Sequence, residues 1–257
     1  MKRFALLFSL VSLGALAEPT GKLVSVFGPG EQTTYEVSYL GIVAGRAQLT
    51  VGWKMQQFGH EVWPLVCLGE TTQVGGIWPI KDRFISYWDP LERRTVGSDF
   101  IVDENKYRKK ERYTYDREKK VALVKRHIEG KEPTERSFDI ERETMDLASA
   151  GFSLRNEPLV PGTAKDLQIF TGVKHYTLRA TVVGRERLEH PLGELEVYRV
   201  TVNGDFSGQM QTRGLITLFY TADDKQLPVR VEAEFLFGKV RLDAVKYDPG
   251  RRYTGEE

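Results

Sequence analysis

The chain has 257 residues, of which 37 are Lys or Arg and 36 are Asp or Glu, so its formal net charge is +1. That balance offers no basic stripe for nucleic-acid phosphates, and nucleic acid is not expected as a partner. Cys67 is the only cysteine, which excludes an intrachain disulfide.

The first predicted element is a leader. Lys2 and Arg3 precede an apolar run from Phe4 to Leu16 that ends in Ala15-Leu16-Ala17, the small-x-small pattern cut by signal peptidase. The run falls short of the roughly 20 residues that span the hydrocarbon core. The reading is a signal peptide over 1–17, cleavage between Ala17 and Glu18, and a mature chain 18–257 that is soluble in the periplasm or secreted. No cysteine follows the cut to carry a lipid, and no transmembrane segment is expected after cleavage.

From Thr33 the residues alternate, with Tyr35, Val37 and Tyr39 against Thr34, Glu36 and Ser38, the period of a half-buried strand. A turn is expected at Gly41 to Gly45, and the pattern resumes through Ala47, Leu49, Val51 and Trp53 as the second arm of a hairpin. Val62 to Thr72 and Arg83 to Trp88 are further strands, separated by the irregular Gly75-Gly76-Ile77-Trp78-Pro79-Ile80. Tyr107 to Tyr115 and Lys119 to His127 read as a charged meander turning at Asp116 and Arg117.

Between Thr144 and Leu154 the spacing of Met145, Leu147, Ala148, Phe152 and Leu154 becomes helical, with Thr144 as the expected N-cap and Asp146 in the first turn. Six strands follow: Ala164 to Thr171, His175 to Arg187, Gly193 to Asn203, Thr212 to Thr221, Pro228 to Phe237 and Val240 to Tyr247. Their turns fall at Gly184, His190 to Gly193, Asn203 to Asp205, Asp223 to Lys225 and Phe237 to Lys239. The expected fold is mainly β, an antiparallel meander forming a curved sheet, half-barrel or barrel-like domain, with one short helix near the middle; a sandwich is the other closure. The mature chain is read as a single β domain with two halves, about 30–143 and 156–248, joined by the helix 144–155.

Several segments, taken in order, resemble a family of exported bacterial proteins known as domain of unknown function 3108. They are Gly30 to Ile42, Ala44 to Ala47, Asp146 to Arg155, Gly184 to Gly193, and Asp223 to Gly238 with Leu227-Pro228-Val229. The resemblance implies an envelope β protein of undefined activity, and it transfers no catalytic residue.

Candidate chemistry is sparse. His60, His127, His175 and His190 show no ligand spacing, so no metal and no cofactor are expected. Ser86, Ser98, Ser149, Ser153 and Ser207 lack the glycines of a nucleophile elbow, and no catalytic residue is assigned. Asp223-Asp224 reads as a solvated turn. Cys67, among Leu65, Val66 and Leu68, reads as a small core hydrophobe rather than a reactive thiol.

The remaining feature is aromatic. Trp78, Phe84, Tyr87 and Trp88 concentrate in one stretch and are the candidate ligand-binding residues, either plugging the end of the β structure or lining an apolar pocket. Phe84 and Trp88 are expected on opposite faces of their strand. The functional expectation is a non-catalytic envelope protein that binds an apolar or amphiphilic ligand or another envelope protein. The alternatives are a hydrolase acting on an envelope polymer and a scaffold with no ligand.

Overall fold

The structure is a computed structural model describing residues 25–71, 80–104, 107–204, 216–235 and 238–251. The leader 1–17 and Trp78 lie outside the described residues.

In chain order the elements are β1 (Gln32–Tyr39), β2 (Ile42–Val51), β3 (Met55–Gln57), β4 (His60–Thr71), β5 (Lys81–Asp89), β6 (Arg94–Glu104), β7 (Tyr107–Asp116), β8 (Val121–Ile128), β9 (Thr134–Asp139), α1 (Leu147–Arg155), β10 (Ala164–Phe170), β11 (His175–His190), β12 (Gly193–Asn203), β13 (Ile216–Thr221), β14 (Pro228–Phe235) and β15 (Gly238–Asp248). They form one antiparallel sheet in the order β10-β11-β12-β13-β14-β15-β1-β2-β4-β5-β6-β7-β8-β9, with β3 paired to the start of β4. Strands that neighbour in sequence neighbour in space, as expected of a meander. The first and last stretches meet where β1 pairs with β15, Val37 opposite Leu242.

The sheet curls until its two free edges, β9 and β10, approach one another. Side chains and the segment before the helix fill the seam. Met145 forms a parallel bridge with Ile169, its N–H donating to the Gln168 carbonyl at 2.8 Å while Phe170 N–H donates to the Met145 carbonyl at 2.9 Å. Phe170 then packs against Tyr113, Tyr115 and Phe138 across the gap, with ring centroids 6.2, 6.4 and 5.3 Å away. Gly172 follows at φ +81°, so close to the Tyr113 ring that a Cβ there would stand 2.5 Å from it. Only glycine combines that left-handed backbone with that approach.

Several local expectations are corrected. The β1–β2 turn is Leu40-Gly41, with φ +50° and +84°, the left-handed pair of a two-residue hairpin. Strand β2 resumes at Ile42, and Gly45 lies within it beside a register shift, where a Cβ would meet the Glu70 carbonyl oxygen at 2.3 Å. Strands β6 and β9 were not expected. The first is broken in pattern by Gly97-Ser98-Asp99, and the second is a mostly exposed, charged edge. Gly184 is no turn; it sits at a register shift inside the 16-residue β11.

The helix begins two residues later than expected. Asp146, not Thr144, is its N-cap: Ser149 N–H donates to Asp146 Oδ1 at 2.7 Å and Asp146 N–H donates to Ser149 Oγ at 3.1 Å, a reciprocal capping box. Ser98 on β6 donates a further bond, 2.6 Å, to Asp146 Oδ2. Of the β6 residues that obscured its strand pattern, Ser98 thus faces the helix start, whereas Gly97 lies against the Phe58 ring.

The helix lies across the lower part of the curled sheet. Here the lower end is the one carrying residues 25–31 and the 222–227 turn, and the upper end carries the 40–41 and 171–174 turns. Arg155, in the last helical turn, donates to Glu31 through Nη1 and Nη2 at 2.6 and 3.1 Å and through Nη2 to the Lys225 carbonyl at 3.1 Å. Both charged side chains are buried. Beneath the helix Phe27, Val51, Trp63, Leu65, Trp88 and Phe152 form a closed cluster. Phe27 and Phe152 stand edge to face at 4.9 Å. Among the described residues no helix is long and apolar enough to cross a membrane.

Candidate functional site

Strand register builds the inner wall as horizontal rows of directly paired residues. One row, level with the helix, runs Val51, Leu65, Ser86, Ser98, Tyr113, Val124 across β2 to β8, and every member is buried. The next row up runs Leu49, Cys67, Phe84, Phe100, Glu111, Arg126 on the same strands. Its first four members point the same way yet are only half-buried. On the opposite wall Leu218 pairs with Val231 and Val231 with Leu242; Leu218 and Val231 are also only half-buried.

The space between these walls is a cavity of about 610 Å³, within the range of small-molecule sites. Its walls include Leu49, Cys67, Phe84, Phe100, Leu218 and Val231. Its floor is the upper face of α1, where Leu147, Ala148 and Gly151 line it. Leu147 keeps 43% of its surface exposed although it faces the inside of the sheet. That value identifies an interior open to solvent rather than a sealed core.

The cavity is apolar up to one flank. There Glu111, buried, accepts from Tyr113 Oη at 2.8 Å, pairs with Lys109 Nζ at 2.9 Å and pairs with Arg126. Burial alone raises the Glu111 carboxyl, but the bonds from Lys109, Tyr113 and Arg126 outweigh it and hold the group below its usual range. Lys109 Nζ also stands 4.8 Å over the Phe100 ring. Higher on β5, Asp82 is pushed up to about 6 by burial and by the neighbouring Glu104 carboxylate.

The predicted residues separate. Phe84 lines the cavity. Trp88 is 1% exposed in the cluster beneath the helix, with Phe27 6.2 Å from its ring. Phe84, Ser86 and Trp88 share the inner face, so the expectation that Phe84 and Trp88 oppose one another fails on the two-residue period itself. Tyr87 is the residue that points outward; it packs with Val62, Val96 and Phe58 and donates to Asp99 Oδ2 at 2.9 Å. The structure therefore places one of the three described candidates, Phe84, on the cavity and the other two in packed clusters.

Cys67 lies on the cavity wall between Leu49 and Phe84, the in-register neighbours that decide its surroundings more than Val66 and Leu68 do. Burial, helped by the Asp146 carboxylate, pushes its thiol up to about 12. The four histidines are dispersed. His60 pairs with Asp89 at 3.1 Å, His175 stacks on Phe170 at 4.8 Å, His190 reaches the Val229 carbonyl at 3.0 Å, and His127 is exposed. Asp223 Oδ1 accepts from Thr221 Oγ1 and Lys225 N–H, a local turn. Among the described residues no group of three or more His, Cys, Asp or Glu could hold a metal ion.

Sequence reasoning missed Leu49, Phe100, Leu218, Val231 and the small face of the helix. Parity along each strand marks them as inward, but inward residues become a cavity only if nothing fills the space between opposite walls.

Among solved structures the chain is similar to a beta-barrel-like protein of domain of unknown function DUF1849 from Brucella abortus. The two are 10% identical with a TM-score of 0.57, over 90% of this chain and 99% of that one. At that identity the likeness concerns the fold alone. A protein described as exported, with a YmcC-like fold, from Bacteroides fragilis aligns at 8% identity and a TM-score of 0.37, over 89% of this chain and all of that one. No curated protein matches the chain. The family of proteins of unknown function DUF3108 matches residues 34–245, and the chain belongs to that family.

Proposed function

We propose that this chain is a non-catalytic, exported envelope protein that holds an apolar or amphiphilic ligand inside its curled sheet. The observation that carries the reading is the row of inward-facing Leu49, Cys67, Phe84 and Phe100, left half-buried around a cavity of about 610 Å³. Apolar side chains held in contact with water are costly at roughly 25 cal/mol per Å², and a ligand that covers them recovers that free energy. The one buried carboxylate at the cavity floor, Asp146, has both oxygens engaged, Oδ1 accepting from Ser149 N–H as the helix cap and Oδ2 from Ser98 Oγ. That arrangement suits a structural role better than an acid or base.

Export rests on the leader at 1–17, and the periplasm or the medium is the proposed location. N-terminal sequencing of the mature protein should begin at Glu18.

The binding reading is tested by native mass spectrometry of protein purified from its own envelope. A retained apolar molecule is expected in the wild type. It should be lost in Val231→Trp, whose indole would occupy the cavity. A wild type that carries nothing and takes up no added apolar dye would overturn the reading.

A further inference from the structure

The helix that floors the cavity departs from good helix design at one place. Gly151 stands in the middle of α1, in a stretch whose neighbours Ala148 and Ala150 favour the helix. Glycine is the poorest helix former after proline. A glycine inside a helix is ordinarily explained by a left-handed backbone or by a neighbour too close for a Cβ. Neither applies here: Gly151 has no positive φ, and a Cβ built on it would meet nothing within 4 Å. The space above it is the cavity, which Leu147, Ala148 and Gly151 line together.

The floor is also fixed in place. Asp146 is bonded to Ser98 at the start of the helix, Arg155 to Glu31 and Lys225 at its end, and the Gly151 carbonyl accepts from Tyr220 Oη at 3.4 Å. Phe152, the next residue, turns down into the aromatic cluster. The helix thus presents Phe152 to the packed lower end and, beside Leu147, the small Ala148 and Gly151 to the cavity.

We infer that Gly151, with Ala148 beside it, is the stop against which the end of an aliphatic chain rests, so that this position sets the longest chain the cavity accepts. The inference rests on the ligand-binding reading above and specifies its ligand as a single unbranched chain. A charged wall of Lys109, Glu111 and Arg126 beside the cavity carries both signs, which suits a zwitterionic head.

The test is displacement of a solvatochromic naphthalene dye from the intact mature protein by n-alkylphosphocholines, about eight to about sixteen carbons long, below their micelle concentrations. Each methylene that enters the cavity should tighten binding about fourfold, until the chain end reaches the helix and the affinity levels off. Gly151→Leu fills the space above the floor and should move that plateau to chains about three carbons shorter. Gly151→Ala, which places one carbon in open space and improves the helix, should move it by about one carbon with no loss of melting temperature. A plateau unmoved in a folded Gly151→Ala and Gly151→Leu would overturn the stop while leaving the cavity as a binding site. Failure of every chain length to displace the dye from wild type would overturn the binding reading and the inference with it.

Discussion

The lower and upper ends of the curled sheet are built from the same strands with the same alternation, yet one is packed and the other hollow. In the lower region Trp63, Trp88, Phe27 and Phe152 interlock beneath α1 and each is buried. One row above the helix, Leu49, Cys67, Phe84 and Phe100 face inward onto the cavity and stay only half-buried. The difference lies in the helix: a curled sheet this wide cannot fill its own interior with side chains, as larger barrels generally cannot. One short helix and a few aromatics close one end of it. Inward parity predicts which side chains face the interior, whereas packing depends on what else enters it.

The largest effects should separate the two ends. Trp88→Ala empties the packed end and is expected to cost roughly 3 to 5 kcal/mol, read from urea unfolding. Phe84→Ala, on the same inner face four residues earlier, removes a ring already half in contact with the cavity and should cost about 1 kcal/mol, while weakening retention of an apolar dye. Equal costs would mean that Phe84 is as well packed as Trp88 and that the upper end is not hollow.

The helix anchor should give a comparable loss by another route. Arg155→Leu leaves the Glu31 carboxylate buried without its guanidinium, and breaking one side of such a pair costs roughly 3 to 5 kcal/mol. Replacing both, as Glu31→Leu with Arg155→Leu, should recover part of that loss. A double variant no more stable than Arg155→Leu would show that what is lost is not the pairing of the charges but the stacking of the Arg155 guanidinium, whose Cζ stands 5.1 Å from the Phe27 ring.

How much of this was legible follows the same division. Strand identity was readable wherever alternation was clean: β12 is predicted and observed at Gly193–Asn203, and β1, β4, β5 and β7 lie within two residues of expectation. It failed at β6, where Gly97, which would carry a Cβ into the Phe58 ring, and Ser98, which bonds the helix cap, are both poor strand formers. The helix was visible from its change of period, but its start was displaced because Thr144 and Asp146 are both good caps, and the reciprocal bonds between Asp146 and Ser149 decide between them. The cavity was the least legible part. Aromatic density drew attention to Trp88 and Tyr87, which are large because they are packed. The residues that line the space are ordinary inward positions on β2, β4, β6, β13 and β14, brought together by curvature that no local pattern encodes.

The smallest expected effect belongs to the upper rim and is read against pH. Asp82 is raised from its ordinary 3.8 to about 6 by burial and by Glu104, with Lys109 opposing. Between those two values the folded protein binds more protons at this site than the unfolded chain does, so unfolding releases protons and stability falls as pH rises through the window. Above about pH 6 the full destabilisation from the charged carboxylate is present, and below about pH 4 it is absent. Asp82→Asn removes it, leaving Glu104 beside a neutral amide. Urea midpoints of the two proteins should therefore coincide near pH 4 and separate by pH 7, with the variant the more stable. Other carboxylates titrate in the same range, but apart from Glu104, which responds to the loss of its neighbour's charge, they are common to both proteins and cancel in the difference. The dense lower end offers an internal control. The Arg155–Glu31 pair lies there, and its loss should shift both midpoints without changing the pH at which the Asp82 pair of curves diverges. Curves that run parallel from pH 4 to pH 7 would mean that Asp82 is solvated as an ordinary surface carboxylate and that the rim above Phe84 is open water.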